Sequence, residues 1–160
     1  MGLVKFVDHL IDVLDVERES KEEFREELIS ILKEDLRKER ELALDFAQQV
    51  DHLPYPHLRE EGAALLNDFK RYGEQISGLI RELGGNSDEE PFDYQPEASD
   101  DFESVLKKDT FIAEELSEHA NWAEDNGYRH VARVLRDIRD AHRHNQERIE
   151  RIIMRMDGMV

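Results

Sequence analysis

Three acids and one histidine fall where helical stripes of apolar residues should run unbroken. Asp35 and Glu39 interrupt the series Phe24, Leu28, Ile31, Leu42, Phe46 and Val50. Asp109 interrupts Phe102, Val105, Ile112, Leu116 and Ala120, while His142 and Asn145 stand between Ile138 and Ile149. Spacings of three and four put such positions on the inward face of a helix. Carboxylates and an imidazole in an apolar interior are costly unless they neutralise one another or hold a cation. Two chemistries answer that requirement. Glu39, Asp109 and His142, with Asn145 as a weak fourth ligand, make a donor set suited to one Fe, Mn or Zn ion. Alternatively His142 bridges Glu39 and Asp109 in a hydrogen-bonded cluster, with its pKa raised by the two acids. No nucleophilic triad is present, because the few Ser and Thr mostly lie at caps and loops without a His–acid pair. A glycine-rich phosphate loop is also missing from the sequence.

Long helices must carry these residues. The chain holds four prolines and eight glycines, and the strong breaks among them cluster at Pro54 and Pro56, at Gly84-Gly85 with Pro91 and Pro96, and at Gly127. Between the breaks the apolar residues keep helical spacing, with no competing strand-like alternation. The reading is all-α. A short amphipathic helix is expected over residues 2–16, and a first hairpin over 20–83, opening on a capping box at Ser20-Lys-Glu-Glu23. An acidic crossover follows over 84–100, and a second hairpin over 101–157 opens near Asp100-Asp-Phe-Glu103. The crossover is long enough to span a 20-residue helix of about 30 Å. A short, long, short series of connections specifies two antiparallel hairpins joined by one crossover, the ferritin-like form of a four-helix bundle. Counted at about 1.5 Å per residue from the hairpin turns, Glu39, Asp109 and His142 reach the same depth to within a turn.

The charge balance limits the partners. Asp and Glu number 39 against 22 Lys and Arg, a formal net charge of -17, and no basic block appears. Nucleic acid is therefore excluded as a partner. The absence of Cys rules out a thiolate nucleophile, disulfides and cysteine-ligated metal, and fits a cytoplasmic protein. No apolar run approaches the roughly 20 residues of a spanning helix. Leu3, Val4, Phe6, Val7, Leu10, Ile11, Val13 and Leu14 give the first helix a wide apolar face, but Asp8, Asp12 and Asp15 oppose an anionic membrane surface. This helix is expected to pack on its own bundle or to form a homodimer. At 160 residues the chain forms one domain.

The run DTFIAEELSEHANWAEDNGYRHVARVLRDIRDAHRHNQERI resembles the rubrerythrin-like branch of the ferritin-like superfamily. The resemblance covers about Leu28 to Met156. It implies that Asp109 and Glu39 take first-helix carboxylate positions, with His142-Arg-His-Asn145 and Gly73-Glu-Gln-Ile76 standing where two Glu-x-x-His motifs belong. Both bridging Glu residues are replaced, so the resemblance implies a degenerate member without an intact di-iron centre. If the protein is an enzyme, that lineage points to a metal-dependent oxidoreductase. The alternative function is a metal-free helical module acting through homodimer or partner contacts of its N-terminal helix.

Overall fold

From Leu3 to Leu53 the sequence contains neither proline nor glycine. In the computed structural model this whole stretch is one helix, α1 (Leu3–Asp51). The structure describes residues 2–88, 92–97 and 100–158; Pro91 and parts of the crossover range 84–100 fall outside them. The separate helix over 2–16 and the capping box at Ser20 are thereby corrected: Ser20 lies inside α1. The polar run Glu17-Arg-Glu-Ser20 contains no helix breaker, and a helix in water has no need of an apolar residue there.

Three more helices complete the chain: α2 (Pro56–Glu82), α3 (Phe102–Asp125) and α4 (Arg129–Gly158). Pro56 at the first turn of α2 loses nothing by lacking an N–H. Gly84 and Gly127 end the two hairpins' helical runs at φ of 85° and 87°, the left-handed region. In both places the next N–H returns to the helix, Gly85 to Ile80 O at 2.9 Å and Tyr128 to Ala123 O at 2.8 Å. The cap of α3 is Asp101, one residue beyond the expected Asp100, and accepts from Ser104 N at 2.8 Å.

Helix α1 packs on α2 and α3, and α4 packs on α3 and α2, leaving α1 and α4 on a diagonal. The cross-helix pairs Asp35–His119 and Lys108–Asp45 run in opposite chain senses, so α1 and α3 are antiparallel. The crossover therefore travels the length of the bundle. It is pinned by Tyr94, which donates to Asp45 Oδ1 at 2.7 Å, and by Gln49, which donates to Asp100 O at 2.6 Å. Phe46, Phe69 and Phe102 meet edge-to-face in the apolar core below the polar layer.

Residues 3–19 of α1 are exposed throughout. The first aromatic contact with the bundle is Phe24 against Trp122, ring centroids 6.3 Å apart. The expectation that this apolar segment packs on its own bundle is overturned, because every residue from 3 to 19 is exposed. No described helix is long and apolar enough to cross a membrane.

Candidate functional site

Glu39 from α1, Asp109 from α3 and His142 from α4 meet in one layer of the bundle, and all three side chains are fully enclosed. The depth counted along the helices is confirmed. His142 Nε2 lies 2.6 Å from Glu39 Oε1. Its other ring nitrogen, Nδ1, is in close contact with Asp109 Oδ1, off the hydrogen-bonding direction. Phe69 stacks on the imidazole at 5.6 Å between centroids and Tyr72 tilts over it at 4.7 Å, closing the layer from the α2 side.

Burial pulls the His142 pKa down, but Glu39 and Asp109 together outweigh it and raise it to about 10. At neutral pH the ring is thus an imidazolium, with Nε2–H donating to Glu39. Burial also raises the Glu39 pKa, against the opposing pull of His142. The two shifts have different causes: burial raises Glu39, whereas the two carboxylates raise His142 against its burial.

The geometry tests the expected metal donor set. The two ring nitrogens diverge, each toward its own carboxylate, so the carboxylates stand at different edges of the ring instead of around one point. Among the described residues no group of three or more His, Asp or Glu is arranged to hold a metal ion. Asn145 is not directed at the triad either: its amide donates to Tyr72 Oη at 2.6 Å and its oxygen accepts from Arg148 at 3.2 Å. Among the described residues three carboxylate oxygens of the cluster, Glu39 Oε2 and both oxygens of Asp109, are buried with no hydrogen-bond donor.

At the other predicted motif, Gly73 and Ile76 are buried, while Glu74 and Gln75 face water. The remaining inward acid, Asp35, is not part of the triad. It accepts from His119 Nδ1 at 2.8 Å. The Asp35 carboxyl is raised by burial, and the hydrogen bond to Asp35 raises the half-buried His119. His119, half-buried beside Ala120, is thus the partner of Asp35.

A fourth buried acid escapes the sequence pattern altogether. Asp45 has a fully enclosed side chain and receives Lys108 Nζ at 2.8 Å as well as Tyr94. Burial and the bond to Asp45 push the Tyr94 pKa up to about 12, so its hydroxyl stays a donor.

No protein-family model matches the sequence, nor does any curated protein. Solved structures do. A bacterioferritin of Desulfovibrio desulfuricans with a di-iron site aligns at a TM-score of 0.75 and 18% identity, over 86% of this chain and 84% of its own. The chain has the ferritin-like fold. A ferritin-like di-iron-carboxylate protein of Bacillus anthracis aligns at 0.69 and 16% identity, over 81% of this chain and 96% of its own. The Dps of Thermosynechococcus elongatus aligns at 0.63 and 16% identity, over 84% and 94%.

Proposed function

We propose that this protein is a metal-free ferritin-like bundle that self-associates through the N-terminal part of α1. The observation that carries the metal-free half is the His142 ring held between two carboxylates. An imidazolium with both nitrogens protonated supplies the positive charge that a cation would otherwise bring, and has no lone pair to ligate one. The triad is then a structural element that fixes the register of α1, α3 and α4, a use attested for buried polar groups elsewhere.

The self-association half rests on residues 3–16. Written as heptads, Val7 and Leu14 take position a, Leu3 and Leu10 d, Val4 and Ile11 e, and Phe6 and Val13 g. Lys5, Asp8, His9, Asp12 and Asp15 take b, c and f, with Val16 at the last c. Leu3 and Val4 are 79% and 74% exposed, and none of the eight apolar side chains is less than 45% exposed. Four apolar positions per heptad exceed a two-stranded seam and describe a helix meant for bundle packing. The partner is a second copy of this chain, which brings an equal apolar face with its acids on the far side. The mass in solution, measured for the full chain and for a deletion of residues 2–21, tests this: an oligomer that becomes a monomer supports it, and a monomeric full chain overturns it.

A second reading is one Fe, Mn or Zn ion held by Glu39, Asp109 and His142, serving redox chemistry. The three donorless oxygens, Glu39 Oε2 and Asp109 Oδ1 and Oδ2, favour it. It requires His142 to lose a ring proton and to turn toward both acids. Metal analysis of protein purified without chelator decides between the readings. Unit metal content favours the second, and none, with no thermal shift on adding Fe(II), Mn(II) or Zn(II), favours the first.

A further inference from the structure

The exposed apolar face of residues 3–14 is the same face that, further along α1, is buried in the bundle. At 3.6 residues per turn its centre falls within about 30° of the centre of the buried residues Leu28, Leu32, Glu39, Phe46 and Val50. The bundle ends where Arg25 donates to Leu83 O and Phe24 meets Trp122, at the C-terminal ends of α2 and α3. No proline or glycine is present between the two parts of α1 to kink it. A helix laid on the exposed face therefore lies in line with the bundle itself.

That placement decides the direction of a second copy. Run parallel, its α1 would enter the space that α2 and α3 fill from Leu28 onward. It would also set Arg18 against Arg18 and Lys21 against Lys21, which lie on this face, and bring together two bundles that carry most of the net charge of -17. Run antiparallel, with Leu3 level with Leu14 of the second copy, every apolar side chain meets another: Val7 faces Leu10, Val4 faces Ile11 and Phe6 faces Val13. The second copy's α1 then ends short of Arg18 and Lys21, and its bundle lies at the far end. The eight side chains, each 45% exposed or more, offer on the order of 800 Å² per copy, the standard size of a stable interface.

We infer that two copies pair antiparallel through residues 3–14, each α1 ending in line with the other's bundle. The inference rests on the self-association proposed above and gives its partner and geometry. Both ends of the paired segments are then occupied by a bundle, and the two-fold contact closes on itself.

Light scattering and small-angle X-ray scattering on the unaltered full chain test it. At about 1.5 Å per residue an antiparallel pair in this register spans about 130 Å, and a parallel pair about 75 Å, the length of α1. The chain has no Cys, so the double variant Leu3→Cys, Leu14→Cys reports the register directly. Its two substituted positions stand about 16 Å apart within one helix, too far for a disulfide inside one chain. Oxidised and cleaved at Lys5 and Arg18, it is expected to yield peptide 1–5 linked to peptide 6–18. A dimer about 75 Å long, a disulfide joining two copies of peptide 6–18, or an assembly of more than two copies overturns the antiparallel pair and leaves self-association standing. A monomeric unaltered chain overturns both.

Discussion

His142 Nε2 stands 2.6 Å from Glu39 Oε1 across a sequence separation of 103 residues, although α1 and α4 occupy a diagonal of the bundle. The interaction joins helices that have no backbone approach of their own, and Asp109 ties in the third. Removing the imidazole alone is therefore severe. His142→Ala leaves two buried carboxylates facing a void and is expected to cost about 3–5 kcal/mol in denaturant unfolding. Replacing all three groups together, as Glu39→Met, Asp109→Leu and His142→Leu, is expected to be neutral or to stabilise by up to about 4 kcal/mol. A triple variant less stable than His142→Ala contradicts a purely structural cluster.

The same triad sets a pH dependence of defined sign. The folded state raises the His142 pKa from 6.5 to about 10, so its contribution is complete below about pH 6.5 and is lost as the pH climbs toward 10. The raised pKa values of Glu39 and His119 act in the same direction, each favouring the protonated folded form. The thermal midpoint is expected to fall between pH 7 and pH 10, and His142→Gln to flatten that slope. A midpoint level across this range in the unaltered chain contradicts an imidazolium at the core.

The triad was legible in the sequence because its members break apolar stripes whose period fixes a face, and because hairpin turns fix depth. Asp35 was legible by the same rule, but its partner was not, since His119 lies at the edge of its stripe. Asp45 left no signal. Its burial is produced by Tyr94 of the crossover, a segment with no periodicity to read. The two-helix division at Ser20 failed for another reason. Ser-x-x-Glu describes a helix start only when the preceding chain stops being helical, and nothing between Val16 and Ser20 stops it. The metal reading rested on donor types brought to one depth of the bundle; the direction of each ring nitrogen is set by tertiary packing.

The clasp at Asp45 holds the crossover to the bundle. Tyr94→Phe removes one of its two donors and is expected to cost about 1 kcal/mol, while Asp45→Ala strands both Tyr94 and Lys108 and costs about 1–3 kcal/mol. Hydrogen exchange at residues 92–97 is expected to speed up in both variants with the core amides of α1 unchanged. Uniform acceleration across the whole chain would show that the crossover is not a separate unit of local opening.

Two glycines of α2 are expected to respond oppositely to the same added methyl group. At Gly62 a Cβ would stand 2.8 Å from Val50 Cγ2 and 3.2 Å from Val50 Cγ1, so Gly62 allows α2 to approach α1 closely beside the hairpin turn. Gly62→Ala must push Val50 aside in a filled core, and a cost of about 1–3 kcal/mol follows. At Gly73 the nearest contact of an added Cβ is an ordinary 3.7 Å, and the helix gains from losing a glycine. Gly73→Ala is expected to stabilise by up to about 1 kcal/mol. Urea unfolding of the pair checks both signs. A stabilising Gly62→Ala would mean that α1 and α2 are not in contact at their turn, and a destabilising Gly73→Ala would mean that Leu36 packs closer to Gly73 than 3.7 Å in solution.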